Sequence, residues 1–202
     1  SKEIDVFLDA ASKDNPQNQR IAKAIKVTTE IYNYNKIGKY YENNNSRAVY
    51  MKKNLSESFA KLKFDLTKDK MLLKMGGMHT ARGFSLLDIY DLGNILSELA
   101  IFHGNQSLHI RFDRRYYTKA GVESDDLDTP KDRPHPRQAL IQMGKKDKWT
   151  IIDVRQLRPA LFSQKFNLTP MVSQVITGQD LFIIPPMDKE PTPNYVLRKD
   201  AN

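Results

Sequence analysis

The stretch Met71-Leu-Leu-Lys-Met-Gly-Gly-Met-His-Thr-Ala-Arg-Gly83 opens as a short apolar run and breaks at Gly76-Gly77, as a buried strand ending in a tight turn does. A helical pattern follows. It starts near Ser85, where Ser85-Leu-Leu-Asp88 resembles a capping box, carries Leu92, Ile95, Leu96 and Leu99 on one stripe, and stops at Gly104. Ser107-Leu-His-Ile-Arg-Phe112 then alternates like a half-buried strand. Strand, loop, helix and strand over 70–112 make the pattern of a parallel βαβ unit, so the expected fold is α/β, with a mainly parallel sheet flanked by helices.

Upstream, 16–41 reads as a helix that opens at Pro16 after Asn15 and carries Ile21, Ala24, Ile25, Thr28, Ile31 and Tyr32 at helical spacing. Tyr41-Glu-Asn-Asn-Asn-Ser46 reads as a turn, and 47–66 as a second helix with Met51, Leu55, Phe59 and Leu62 on one stripe. Downstream, 114–136 is charged and proline-bearing, without an apolar period, and is expected to be a long loop. A short helix at 137–143, a strand at 149–154, helical turns at 156–163 and 168–177, a strand at 181–184 and a proline-rich surface tail at 185–202 complete the pattern. The expectation is one α/β domain over 1–202, or the C-terminal portion of one.

The composition sets bounds. Among 202 residues, 32 Lys+Arg against 24 Asp+Glu give a net charge of +8, well short of a packaging protein for nucleic acid. With 40 % hydrophobic and 28 % charged residues, the chain can bury a core of its own. No run approaches the roughly 18 apolar residues of a spanning helix. Ser1-Lys-Glu-Ile-Asp5 has no signal-peptide pattern, so the expectation is a soluble chain, periplasmic or secreted if an export signal was removed before Ser1. The absence of cysteine rules out disulfides, thiolate metal sites and a cysteine nucleophile.

The chemistry centres on His79. Ligands gather at the carboxyl ends of strands in open α/β sheets, and Gly76 and Gly77 would let backbone approach a ligand there. A neutral imidazole in that place can take a proton from water or a hydroxyl, and Arg82 can hold an anionic group or a developing oxyanion. Asp88 and Asp91 can orient the His or the Arg, or simply favour the start of a helix. Arg47, Met51 and Asn54, at i, i+4 and i+7, share one helix face, either supporting a polar pocket or forming a solvated boundary. His103 reads as a helix cap, His109 as a strand residue and His135 as a loop residue. No His pair has zinc spacing, and no metal or other cofactor is expected, with haem ligation by His79 beside Met75 or Met78 as the exception to weigh. Arg111, Arg114 and Arg115 run into Tyr116-Tyr117 as a stacking surface for polyanions would, but interspersed acids favour a solvated loop over a nucleic-acid site.

Arg47-x-x-x-Met51-x-x-Asn54 on a helix, followed by Gly76-Gly77-Met78-His79, resembles the C-terminal half of the erythromycin esterase-like superfamily. In that group a helix of this pattern precedes a strand ending in His-Asn-x-His. Here the second His is kept and glycines replace the first His and the Asn. A Gly-x-x-His turn is also similar to the haem-uptake lipoproteins and TraB-type proteins related to it. Leu181-Phe-Ile-Ile184 followed by Thr192-Pro193 looks like the family's closing strand, so the resemblance spans about 45–195. It implies a fold incomplete at its N-terminus, since the family's other acid/base residues, a His and a Glu, lie in an N-terminal half this chain lacks. It implies hydrolysis of an ester or related acyl bond, with His79 as general base, Arg82 as electrostatic stabiliser, and Arg47, Asn54, Gly76, Gly77, Asp88 and Asp91 lining the pocket. Two alternatives stand beside it: a non-enzymatic module binding a small ligand such as haem, and a polyanion-binding surface.

Overall fold

A computed structural model describes residues 2–13, 15–165 and 167–187. Where one domain is expected, the chain divides into two compact units, Ser1–Ser107 and Leu108–Asn202. The fold is α/β in the broad sense, helices with a small mixed sheet. No described helix is long and apolar enough to cross a membrane.

The first unit is helical: α1 (Lys2–Ser12), α2 (Pro16–Lys36), α3 (Tyr40–Leu62) and α4 (Leu92–Phe102). α2 starts as its sequence dictates. Asn15 accepts backbone N–H bonds from Gln17 and Asn18, and Pro16, lacking an N–H, occupies the first turn. It ends five residues before the expected limit, because Gly38 takes φ +73° and the N–H of Lys39 donates back to the Tyr34 carbonyl at 2.9 Å, closing a Schellman motif. α3 ends the same way. Lys63 is left-handed, the N–H of Phe64 donates to the Phe59 carbonyl at 2.9 Å, and the two rings stack at 4.8 Å.

Three further expectations fail in this unit. Residues 41–46 are not a turn but the first turns of α3. Asparagines favour turns when their amides have only local backbone to bond. Here Asn43 donates its amide to the Ile31 carbonyl of α2 at 2.7 Å, and Asn44 donates to the Leu87 carbonyl at 3.2 Å. The run at 71–75 is not a strand: Leu72 is 94 % exposed, and among the described residues no ladder partner faces it. The βαβ unit therefore does not exist. A short apolar run carries no period with which to tell a strand from extended loop. Finally, the helix does not start at Ser85. The Ser85 hydroxyl accepts the Leu87 N–H within a tight turn, Asp88 sits at φ +58°, and Phe84 and Tyr90 face each other across an isolated antiparallel bridge before α4 opens at Leu92.

The second unit is built on β1 (Ile110–Phe112), β2 (Tyr116–Lys119), β3 (Val122–Asp125), α5 (Gln138–Ile141), β4 (Thr150–Asp153), a 3-10 turn (Val154–Leu157), α6 (Arg158–Phe162), α7 (Pro170–Gly178) and β5 (Leu181–Ile184). Its sheet is small and mixed, not mainly parallel: β5 lies between β1, parallel with Ile110 opposite Leu181, and β4, antiparallel with Thr150 opposite Ile184. As central strand, β5 is apolar at every position, and Phe182 and Ile184 join Leu140, Ile141, Val154, Val172, Val175 and Ile176 in one core. The expected long loop at 114–136 contains the β2–β3 hairpin, whose two-residue turn, Ala120-Gly121, has positive φ at both positions as a type I′ turn requires. Arg115 anchors this hairpin, donating to both oxygens of Asp125 and to the Gln142 and Gly144 carbonyls. Of the expected tail, 188–202 lies outside the described residues.

His135 lies in this unit with its Nδ1 accepting the Arg137 N–H at 3.1 Å, just before α5. Burial, and then the Arg137 charge, hold its pKa below the ordinary value of 6.5, against the pull of Asp113 and Asp126. The folded state thus favours the neutral ring. Its contribution to stability is whole above pH 6.5 and is lost as pH falls through the lowered folded value, because the unfolded chain takes up the proton first. Urea midpoints measured between pH 7.5 and 5.5 are expected to fall less steeply for His135→Asn, which keeps an acceptor but does not titrate, than for the natural chain; equal slopes contradict this assignment.

Candidate functional site

His79 is placed by the opening of α4 and not by a strand end. The loop before it turns on itself, the His79 N–H donating to the Gly76 carbonyl at 2.9 Å and the Thr80 hydroxyl to the Gly77 carbonyl at 3.2 Å. It is then fastened to the first turn of α4, where the Gly93 N–H donates to the His79 carbonyl at 2.8 Å. That N–H is one of the donors a helix start leaves without an intrahelical partner. A Cβ on Gly93 would lie 2.2 Å from the Thr80 carbonyl oxygen, so only glycine allows this approach.

Asp91 is the N-cap of α4. Its Oδ1 accepts the Leu92 N–H at 2.7 Å, and its Oδ2 lies 2.5 Å from Nδ1 of His79. The Asp91 side chain is 0 % exposed and that of His79 18 %. A carboxylate can only accept hydrogen bonds, so in this contact Nδ1 is the donor, and in the neutral form of the ring the lone pair then lies on Nε2. A buried carboxylate behind an imidazole with one nitrogen left over can orient a general base and stabilise it once protonated.

The other expected residues are distributed differently. Arg82 directs Nε to the Ser97 hydroxyl at 3.2 Å and one terminal nitrogen to the Ser107 carbonyl at 2.9 Å, tying the loop to α4 and to the chain beyond it. Asp88, exposed and left-handed, belongs to the Ser85 turn, so of the two aspartates Asp91 is the one that meets His79. Gly76 and Gly77 have no positive φ, and a Cβ on Gly76 would make only an ordinary 3.5 Å contact with His79 Cδ2, so glycine is not required at position 76. Asn54 lines a groove of about 600 Å³ between α2 and α3, and Arg47 is half-buried on α3. α3 reaches the segment after His79 through other residues, Asn44 and Lys52, whose ammonium donates to the Tyr90 carbonyl at 2.5 Å. Sequence reading missed Gly93 and Lys52. The signal for Gly93 was there: an aspartate cap followed by Leu-Gly puts a glycine in the first helical turn, where propensity alone disfavours it.

Among the described residues, no group of three or more His, Asp or Glu side chains is placed to hold a metal ion. The arginines of the possible polyanion surface face carboxylates in the second unit: Arg114 pairs with Asp126, Arg115 with Asp125, and Arg111 and Arg137 both with Asp113. Comparison with family models, curated proteins and solved structures finds no match.

Proposed function

We propose that the protein hydrolyses an ester or related acyl bond, with His79 as general base and Asp91 as the residue that orients it. The observation that carries this reading is the 2.5 Å contact between His79 Nδ1 and the wholly buried Asp91 carboxylate. In the step it supports, water gives a proton to Nε2 as its oxygen adds to the acyl carbon, and the same proton is passed to the departing alkoxide as the ester C–O bond breaks. The Asp91 carboxylate offsets the positive charge of the imidazolium that forms. Arg82, with two guanidinium nitrogens bonded to Ser97 and Ser107, acts here as a positioning residue and not as the oxyanion stabiliser the resemblance implies. The Gly76-Gly77-Met78-His79 turn, which resembles that of the esterase-like proteins, favours the same chemistry.

The test is turnover on a panel of activated and aliphatic esters. His79→Ala is expected to lower kcat by about 10²- to 10⁴-fold while the melting temperature stays within a few degrees. Asp91→Asn, which removes the charge but keeps an acceptor for the helix, is expected to lower kcat with little change in KM. A natural chain inert on every ester overturns the reading. So does a Soret band that appears on titration with haem and is lost in His79→Ala, which would make the site a ligand-binding module.

A further inference from the structure

α2 carries a second feature, remote in sequence from His79. Ile21, Ile25, Thr28 and Tyr32 follow one another at spacings of 4, 3 and 4, the interval at which one helix presents a seam to another. The seam is uncovered: Ile21 is 51 %, Ile25 42 % and Tyr32 65 % exposed, whereas the residues α2 buries are Ala22 and Ile31. Together with Ala24 and Thr29, these four residues line a trough of about 450 Å³, and the small side chain at Ala24 leaves room for a neighbouring backbone.

The two flanks of the seam differ in charge. Toward α1, Lys26 is already matched by Asp9 at 2.6 Å and Asp5 at 3.7 Å. Toward α3, the trough continues past Ile21 and Ala24 into the groove that holds Arg20, Lys23 and Lys61 against one carboxylate among the described residues, Glu57, 3.9 Å from Lys23. An occupant that fits both features has apolar residues at the same helical interval and acidic residues along one side. We propose that α2 docks an amphipathic, acidic-flanked helix of another protein. A second copy of this chain brings the same cationic rim to the contact, and a lipid surface is poorly served by a strip interrupted at its middle by Thr28 and Thr29.

The experiment uses the 202-residue chain and a labelled synthetic peptide of 21 residues, with leucine at 4-3-4 spacing and glutamate on the flanks, beside a peptide in which every glutamate is lysine. Fluorescence anisotropy is expected to show the acidic peptide binding at least tenfold tighter, more weakly as salt rises. Ile25→Glu and, separately, Tyr32→Ser are expected to weaken it at least tenfold with unchanged circular dichroism. Lys61→Glu is expected to narrow the gap between the peptides. Equal affinity for the two peptides, no binding of either, self-association in sedimentation that Ile25→Glu abolishes, or binding to phosphatidylserine vesicles in place of the acidic peptide each overturn the proposal.

Discussion

Gly93→Ala is expected to destabilise the Ser1–Ser107 unit by about 3 kcal/mol, near the top of the range for overpacking. In most helices the same change is stabilising, by about 1 kcal/mol, since alanine holds helical backbone better than glycine. The sign reverses here because the new methyl would lie 2.2 Å from the Thr80 oxygen and 2.3 Å from its carbonyl carbon, backbone atoms that cannot turn aside as a side chain can. Relief requires the loop to lift from α4, which breaks the Gly93–His79 bond and draws His79 away from Asp91. Amide exchange should therefore rise across 76–95 while the core amides of Leu108–Asn202 keep their protection. Gly76→Ala is the control, with an effect within about 0.5 kcal/mol, as its Cβ meets nothing closer than 3.5 Å. A variant at Gly93 as stable as the natural chain would mean that the His79 loop is not held against the helix.

The second large effect falls in the other unit. Phe182→Ala is expected to cost about 3–5 kcal/mol, the transfer of a buried ring plus the cavity it leaves. Phe182 is 0 % exposed on the central strand and packs with Ile141, Val154 and Ile176, residues brought from separate elements by long connections. Those neighbours cannot all close on an empty ring site without moving β5 against β1 and β4. Phe182→Leu, which fills much of the same volume, should lose no more than about 1.5 kcal/mol. Urea unfolding followed by circular dichroism reads both variants, and equal losses for Ala and Leu would indicate a loosely filled core.

What could be read in the sequence follows the range of the forces involved. The start of α2 is encoded by Asn15 and Pro16 within three residues, and β5 by an unbroken apolar run of strand length, so both fall where expected. The helix over 40–46 depends on carbonyls at Ile31 and Leu87, 12 and 43 residues from the asparagines that bond to them, and no local pattern contains that information. The run at 71–75 fails for the converse reason: its apolar residues suit a strand, but a strand needs a partner and none of the described residues supplies one. At the candidate site, His79 and Asp91 were both within reach of sequence reasoning. Asp88 and Asp91 stood as equal candidates to orient the His or the Arg, and the choice between them was not legible, since it depends on a turn at Ser85–Asp88 that sets where the helix opens. The hairpin at Tyr116–Lys119 and Val122–Asp125 escaped notice because Ala-Gly is a weaker type I′ signal than Asn-Gly or Asp-Gly.

The order of the three-stranded sheet bears on how the chain is made. β5 lies between β1 and β4 yet follows both in the chain, and β1 and β4 do not pair with each other. During synthesis neither has its sheet partner until Leu181–Ile184 has left the ribosome, and the parallel pairing must then close a span of about seventy residues. Until that moment Ile151 and Phe112 are carried on unpaired strand edges, so a nascent chain stalled before Leu181 is the species most in need of a chaperone.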